Sequence, residues 1–262
     1  MHETTTKIRE ATSWLSEQLR PIAQAPPLPA MYAADPTVYA RGNYEGAMQR
    51  LTDGPRRLLV GMNPGPHGMA QTGVPFGDVH NARIILRRGI QFKEGQPWVG
   101  HKIVSPLGAV ILDAKGLDYQ RGEVSGERLW GGLDQIFGGL ERVYSRLCVI
   151  NYCPLVFLGP TGRNVTPSEL PKTGLYRGMI TACDEHLRRV VAALGASVVI
   201  GIGNYSFDRC RVALASQYFR GQPMRILKVP HSSPRNPSAA VSWLSDATKI
   251  IHTADNLAHQ VQ

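Results

Sequence analysis

Hydrophobic positions follow two rhythms along this chain. Near the start, Ile8, Ala11, Leu15 and Leu19 recur at helical spacing, which predicts an amphipathic helix over residues 5–23. A proline-rich stretch, AQAPPLPA, follows, and a second helix is predicted over Tyr44 to Leu51. The rhythm then changes. Four short, continuous apolar runs read as strands: Arg57–Met62 (RLLVGM), Leu147–Asn151 (LCVIN), Ser197–Ile202 (SVVIGI) and Arg225–Val229 (RILKV). Helical patterns are predicted at about 78–89, 125–140, 173–194, 204–218 and 237–256.

Continuous apolar runs alternating with helices predict an α/β fold with a mostly parallel sheet covered on both faces. A length of 262 residues suits one domain, read as spanning 1–262 with residues 1–25 as an N-terminal helical extension. An apolar content of 43% allows a sizeable core. The net charge of +9 changes the picture more, because lysine and arginine release counterions from phosphates and so favour a polyanionic partner. No apolar run approaches the roughly 20 residues that span a bilayer, and the N-terminus carries charges throughout. A soluble, cytoplasmic protein without membrane contact is expected.

The four cysteines form no CxxC pair, which leaves a zinc ribbon or iron–sulfur cluster without support. Cys148 and Cys153, five apart in a predicted strand, are expected on opposite faces as reduced core thiols.

A parallel sheet binds ligands beyond the carboxyl ends of its strands. There the chain places Asn63-Pro64-Gly65-Pro66 after the first run, Asn151-Tyr152-Cys153-Pro154 at the second, Gly203-Asn204-Tyr205 after the third and Pro230-His231 after the fourth. Two amides and an imidazole thus share one rim. No G-x-S-x-G elbow or P-loop is present, and Gly201-x-Gly203 has Ser206 where a dinucleotide fingerprint needs its third glycine. Cys153 with His231 makes a poor nucleophile–base pair, because Pro154 suits a turn rather than an exposed helix start. Taken alone, Asn63 also fits an Asx-turn, and His231 a hydrogen-bonded loop histidine.

At these residues the chain resembles the single-strand-selective monofunctional uracil-DNA glycosylases, a branch of the uracil-DNA glycosylase superfamily. Two long stretches carry the resemblance: GMNPGPHGMAQTGVPFGDV (61–79) and HSSPRNPSAA (231–240). GEVSGERLWG (122–131), NYCPLVFLGPTGRNVTPSELP (151–171) and VVIGIG (198–203) support it. His67 departs from the usual phenylalanine, and Ser232 from the proline that usually follows the catalytic histidine.

The resemblance implies a three-layer α/β/α sandwich around a central four-stranded, mostly parallel sheet. It implies hydrolysis of the N-glycosidic bond of uracil and 5-hydroxymethyluracil in single- and double-stranded DNA, with no cofactor or metal. By resemblance, Asn63 positions the attacking water and His231 stabilises the departing base at O2. Phe76 stacks on the flipped base and Asn151 reads its edge. The backbone of Met62 adds contacts, and Gly65 leaves room above C5. Ser233, Pro234 and Arg235 form a wedge loop, with Arg235 at its tip, while Arg163 and Asn164 belong to a second DNA-contacting loop. Arg83, Arg87, Arg88 and Lys93 are candidates for phosphate contacts, or for a solvated helix face. Neither main motif contains a lysine, so no Schiff base is expected. DNA is the expected partner, a monomer the expected state, and the nucleus the expected compartment for a eukaryotic source. The competing readings are a glycosylase for deaminated purines such as xanthine, and a weakly catalytic binder of damaged DNA.

Overall fold

The computed structural model describes residues 3–25, 31–49, 51, 57–87, 101–233 and 239–259. Its centre is a four-stranded sheet of β1 (Arg57–Gly61), β2 (Leu147–Asn151), β3 (Val198–Ile202) and β4 (Arg225–Val229), in the order β4-β3-β1-β2. All three pairings are parallel, so the sheet is wholly rather than mostly parallel. Every residue of β1, β2 and β3 is buried, as expected of runs without apolar–polar alternation. At the edge, β4 is only partly covered, and Lys228 faces solvent.

Among the described residues, seven longer helices surround the sheet: α1 (Glu3–Gln24), α2 (Arg41–Met48), α3 (Val79–Arg87), α4 (Val124–Phe137), α5 (Gly174–Leu194), α6 (Gly203–Ala213) and α7 (Ala239–His259). α6 lies on β3, β4 and β1 and is backed by α5, while α7 covers β4 and β3 and packs against α4. This is the three-layer α/β/α arrangement. α1 runs along α5 and buries Ile8, Leu15, Leu19 and Ile22 in the main core.

Several predicted boundaries move. The second helix is Arg41–Met48 rather than 44–51, and the 204–218 pattern ends at Ala213. Beyond it, Tyr218–Phe219 pairs with Gln222–Pro223 across a turn in which Arg220 and Gly221 both have positive φ. The 125–140 pattern breaks at Gly138 and Gly139, both at positive φ, before a short helix at Leu140–Tyr144. Cys153 lies beyond β2, which ends at Asn151, so the opposite-faces argument does not apply to it; all four cysteines are buried and none forms a disulfide. Among the described residues, two further small antiparallel sheets were absent from the hydrophobic pattern. One joins Tyr32–Ala34, Val156–Leu158 and Asn164–Val165; the other pairs Lys102–Val104 with Val110–Asp113. Their strands have two to four residues, too few to show a period.

His186 on α5 is buried, with Nε2 3.4 Å from Thr12 Oγ1 on α1. Burial drives its pKa down to about 4, with Arg189 adding to the effect. The unfolded chain therefore takes up a proton near pH 6.5 that the folded chain refuses until about pH 4. This contribution to stability is complete above about 6.5 and is lost as the pH falls towards 4, by about 3 kcal/mol. His186→Gln should flatten that part of the stability–pH curve measured by urea unfolding. An unchanged slope in the variant would assign the loss to other groups.

Candidate active site

The sheet reverses its direction of growth between β1 and β3, because the chain leaves β1 for β2 on one side and later returns to β3 on the other. A crevice forms at the carboxyl ends of strands at such a point. A cavity of about 690 Å³ opens there, lined by Met62, Asn63, Gly65, His67, Met69, Phe76, Arg121, Glu123, Asn151, Asn164, His231 and Ser233, among others.

Parallel pairing continues past the strand ends. The Tyr152 N–H donates to the Gly61 carbonyl (2.8 Å) and the Cys153 N–H to the Met62 carbonyl (3.0 Å). These bonds bring the two asparagine-bearing loops side by side. Behind them the Tyr152 hydroxyl donates to Asp184 (2.5 Å), and Arg209 donates to the same carboxylate (2.5 Å), anchoring the turn after Asn151 to α5 and α6.

Phe76 and Asn151 meet over Gly61. A Cβ at Gly61 would collide with the Phe76 ring and lie 2.7 Å from Asn151 Oδ1, so only glycine admits both. Phe76 has φ of 53°, a left-handed conformation that costs a non-glycine residue free energy and persists where surroundings impose it. Here Trp130 Nε1 donates to the Pro75 carbonyl (3.0 Å) and Thr72 Oγ1 to the Gly77 carbonyl (2.7 Å), strapping the turn on both sides. Asn151 is buried; its Nδ2 donates to Met69 Sδ (3.1 Å), while Oδ1 has no hydrogen-bond partner. The amide is therefore oriented by the protein and keeps a desolvated acceptor beside Gly61 and the Phe76 ring.

Asn63 is half-buried. Its Nδ2 donates to the carbonyls of Pro64 (3.3 Å) and Leu155 (3.5 Å), which leaves Oδ1 as the acceptor of the pair. His231 lies against Gly203, where a Cβ would stand 3.3 Å from the imidazole. The Ser233 N–H donates to His231 Nδ1 (3.0 Å). Burial lowers the pKa of His231, so the ring is neutral near pH 7; with Nδ1 accepting, its proton resides on Nε2. Trp243 Nε1 donates to the Pro230 carbonyl (2.8 Å) and Arg128 to the Ser232 carbonyl (3.1 Å), fixing the backbone on either side of this histidine.

Ser232 is fully buried, and its hydroxyl has no partner. An unsatisfied buried hydroxyl costs stability, so Ser232→Ala should stabilise the fold by about 1 kcal/mol. An unfolding midpoint unchanged or lowered in the variant would count against this.

The cavity thus joins Met62, Asn63, Gly65, Phe76, Asn151, Asn164, His231 and Ser233. Arg163 is not among them: it is exposed and pairs with Glu169 (2.9 Å), while its neighbour Asn164 reaches the cavity with a buried, unpartnered Oδ1. Successive residues of an extended segment point to opposite sides, which separates the two. Pro234, Arg235, Arg88 and Lys93 lie outside the described residues. Arg83 donates to the Leu117 carbonyl (2.6 Å) instead of standing free on its helix.

Glu123 lies in the stretch GEVSGERLWG (122–131), which by itself gives this residue no role. Its carboxyl lines the cavity, and burial, with Asp78 nearby, pushes its pKa up to about 7. His67 also lines the cavity; Nδ1 is hydrogen-bonded to the Tyr119 hydroxyl (2.5 Å). No local pattern marks Glu123, because a glutamate at a helix start ordinarily reads as a favourable charge at the positive end of the helix dipole.

A parallel α/β sheet whose switch-point cavity is built from amides, an aromatic ring and a neutral imidazole places the chain among the α/β proteins that bind a ligand at the carboxyl ends of their strands. The sequence matches the Uracil DNA glycosylase superfamily over residues 48–248. It is 36% identical over 238 residues to the single-strand selective monofunctional uracil-DNA glycosylase of Rattus norvegicus, covering 89% of this chain and 81% of that one. The Bos taurus enzyme of the same name is 36% identical over 230 residues, covering 87% and 79%. The crystal structure of wild-type SMUG2 from Pedobacter heparinus shares the fold with a TM-score of 0.62 at 15% identity, covering 92% of this chain and 98% of that one. The chain belongs to the single-strand selective monofunctional uracil-DNA glycosylases of the uracil-DNA glycosylase superfamily.

Proposed function

We propose that this protein hydrolyses the N-glycosidic bond of uracil and of 5-hydroxymethyluracil in single- and double-stranded DNA, with water as the nucleophile. The observation that carries this reading is the Asn151 side chain: a buried acceptor without a partner, fixed in orientation, beside an aromatic ring. A base flipped out of the stack into the cavity supplies what is missing. Uracil N3–H donates to Asn151 Oδ1, the second hydrogen of Nδ2 reaches O4, and the ring stacks on Phe76. Cytosine has an unprotonated N3 and would leave Oδ1 unsatisfied.

With the base held, the glycosidic bond breaks towards an oxocarbenium-like sugar and a uracil anion. The neutral imidazole of His231 donates Nε2–H to O2, where the negative charge collects, and a pre-positioned donor at developing charge is usually the largest catalytic contribution. Asn63 Oδ1 accepts a hydrogen bond from the attacking water and aims it at the sugar. An amide is a weak base, which suits a reaction whose bond-breaking precedes attack. Hydrolysis by water leaves an abasic site and an uncut strand. Gly65 leaves space for a C5 substituent. The net charge of +9 favours the DNA backbone. Ser233 and Asn164, at the cavity wall, are assigned to the DNA around the flipped nucleotide, together with Arg163, Pro234 and Arg235.

Asn151→Asp tests the reading. A carboxylate cannot donate to O4, so uracil release in single turnover should fall at least about 10-fold. A base-release panel over uracil, hydroxymethyluracil, xanthine, hypoxanthine and cytosine shows whether selectivity moves with it. Unchanged uracil rates, or a wild type that prefers the purines, would exclude direct reading of the uracil edge.

A further inference from the structure

Glu123 lines the cavity, and the reaction above does not use its carboxyl. It stands at the N-cap position of α4, yet its carboxyl makes no capping bond to the helix. Instead it reaches across the cavity to the glycine-rich loop after β1. A Cβ at Gly65 would lie 3.0 Å from Glu123 Oε1, and one at Gly68 would collide with Oε2. The carboxyl therefore occupies the space that side chains on this loop would fill. Ser125 offers it a hydrogen bond, and the neighbouring His67 is already engaged by Tyr119.

A carboxyl in this setting is costly. It is half-buried, lies near Asp78, and lines a cavity that must accept part of a polyanion. An apolar side chain of similar length would fill the same gap without that cost. What a carboxyl adds is strong hydrogen bonding in a partly desolvated site, with two oxygens that accept in the ionised form and a donor as well in the protonated form. It needs a polar ligand group on the Gly65 side of the base.

We propose that Glu123 is a specificity-determining residue that reads the C5 substituent of the flipped base by hydrogen bonding to a hydroxyl one carbon out from the ring. This rests on the assignment of Gly65 to the C5 side under the proposed function. The bond is made whether the carboxyl is ionised or protonated, because a hydroxyl both donates and accepts. A base with hydrogen at C5 makes no such bond and leaves the carboxyl to water. Glu123 thus converts a merely open C5 subsite into one that favours hydroxymethyl over an apolar group of equal size.

The test uses the full chain and single-stranded oligonucleotides carrying one uracil or one 5-hydroxymethyluracil, read as single-turnover base release. Glu123→Met keeps the length of the side chain and removes its hydrogen bonds; Glu123→Gln keeps both. In Glu123→Met the hydroxymethyluracil rate should fall about 10-fold more than the uracil rate. Glu123→Gln should restore most of that ratio. Equal falls on both substrates would overturn the proposal and place the carboxyl in the chemical step or in holding the loop. So would a ratio unmoved in both variants. A wild type that releases both bases while the ratio stays fixed refutes this proposal alone. A wild type that releases neither refutes the glycosylase reading, and this inference with it. Thermal unfolding of each variant verifies folding, and Glu123→Gln decides the question through its ratio if Glu123→Met does not fold.

Discussion

His231→Leu should slow single-turnover uracil release by about 10²–10³-fold, the range seen when one pre-positioned donor to developing negative charge is removed. Leucine occupies similar space against Gly203 but offers nothing to O2. The loss should appear in the chemical step, with binding of uracil-containing DNA nearly retained, because the bond strengthens only as the base becomes an anion. The neutral tautomer makes a second, separable statement. With the ring pKa lowered by burial and Nδ1 accepting from the Ser233 N–H, the neutral tautomer with its proton on Nε2 persists below the usual imidazole range. Uracil release should therefore show no inflection near pH 6.5 attributable to this ring. A rate that tracks an imidazole titrating at 6.5, or a leucine variant within a few-fold of wild type, would remove His231 from the reaction.

Asn63→Ala should lower the single-turnover rate by about 100-fold, of the order that misplacement of a reacting group costs. Two backbone carbonyls hold the amide nitrogen, so the oxygen that receives the water is fixed before substrate arrives. Asn63→Asp separates orientation from basicity. It keeps an acceptor at the same place, but its negative charge repels the backbone carbonyls that the amide nitrogen now satisfies. Partial retention of rate in Asn63→Asp, against near-complete loss in Asn63→Ala, is the expected pair. Equal rates in wild type and Asn63→Ala would leave the water positioned by other groups.

Most of the central architecture was legible because it rests on short-range rules. Fully buried parallel strands lack apolar–polar alternation, and β1, β2 and β3 stand out as such runs, with the partly covered β4 as a fourth, separated by helical spacing. The ends of those strands pointed to Asn63, Asn151 and His231 before any fold was drawn, since a parallel sheet presents its loops on one edge. What failed were elements held by partners distant in sequence. The three-stranded sheet of Tyr32–Ala34, Val156–Leu158 and Asn164–Val165 exists because those segments meet, not because any of them favours a strand alone. The predicted helix to residue 218 stops at Ala213, where the chain turns towards a hairpin.

By its sequence alone, then, this protein set its fold class, the rim on which its chemistry gathers, and the residue types available there. Those depend on periodicity and on glycine, proline and amide positions that any local reading can see. Only the tertiary structure decided the states of those groups. Burial holds His231 neutral, and a backbone N–H chooses its tautomer. Met69, 82 residues away in sequence, orients the Asn151 amide. Strapping by Trp130 and Thr72 keeps Phe76 at positive φ, and the approach of α4 to the loop after β1 delivers Glu123 to the cavity. Desolvation, hydrogen-bond partners and close contact are set by residues far apart along the chain, and the folded packing alone brings them together.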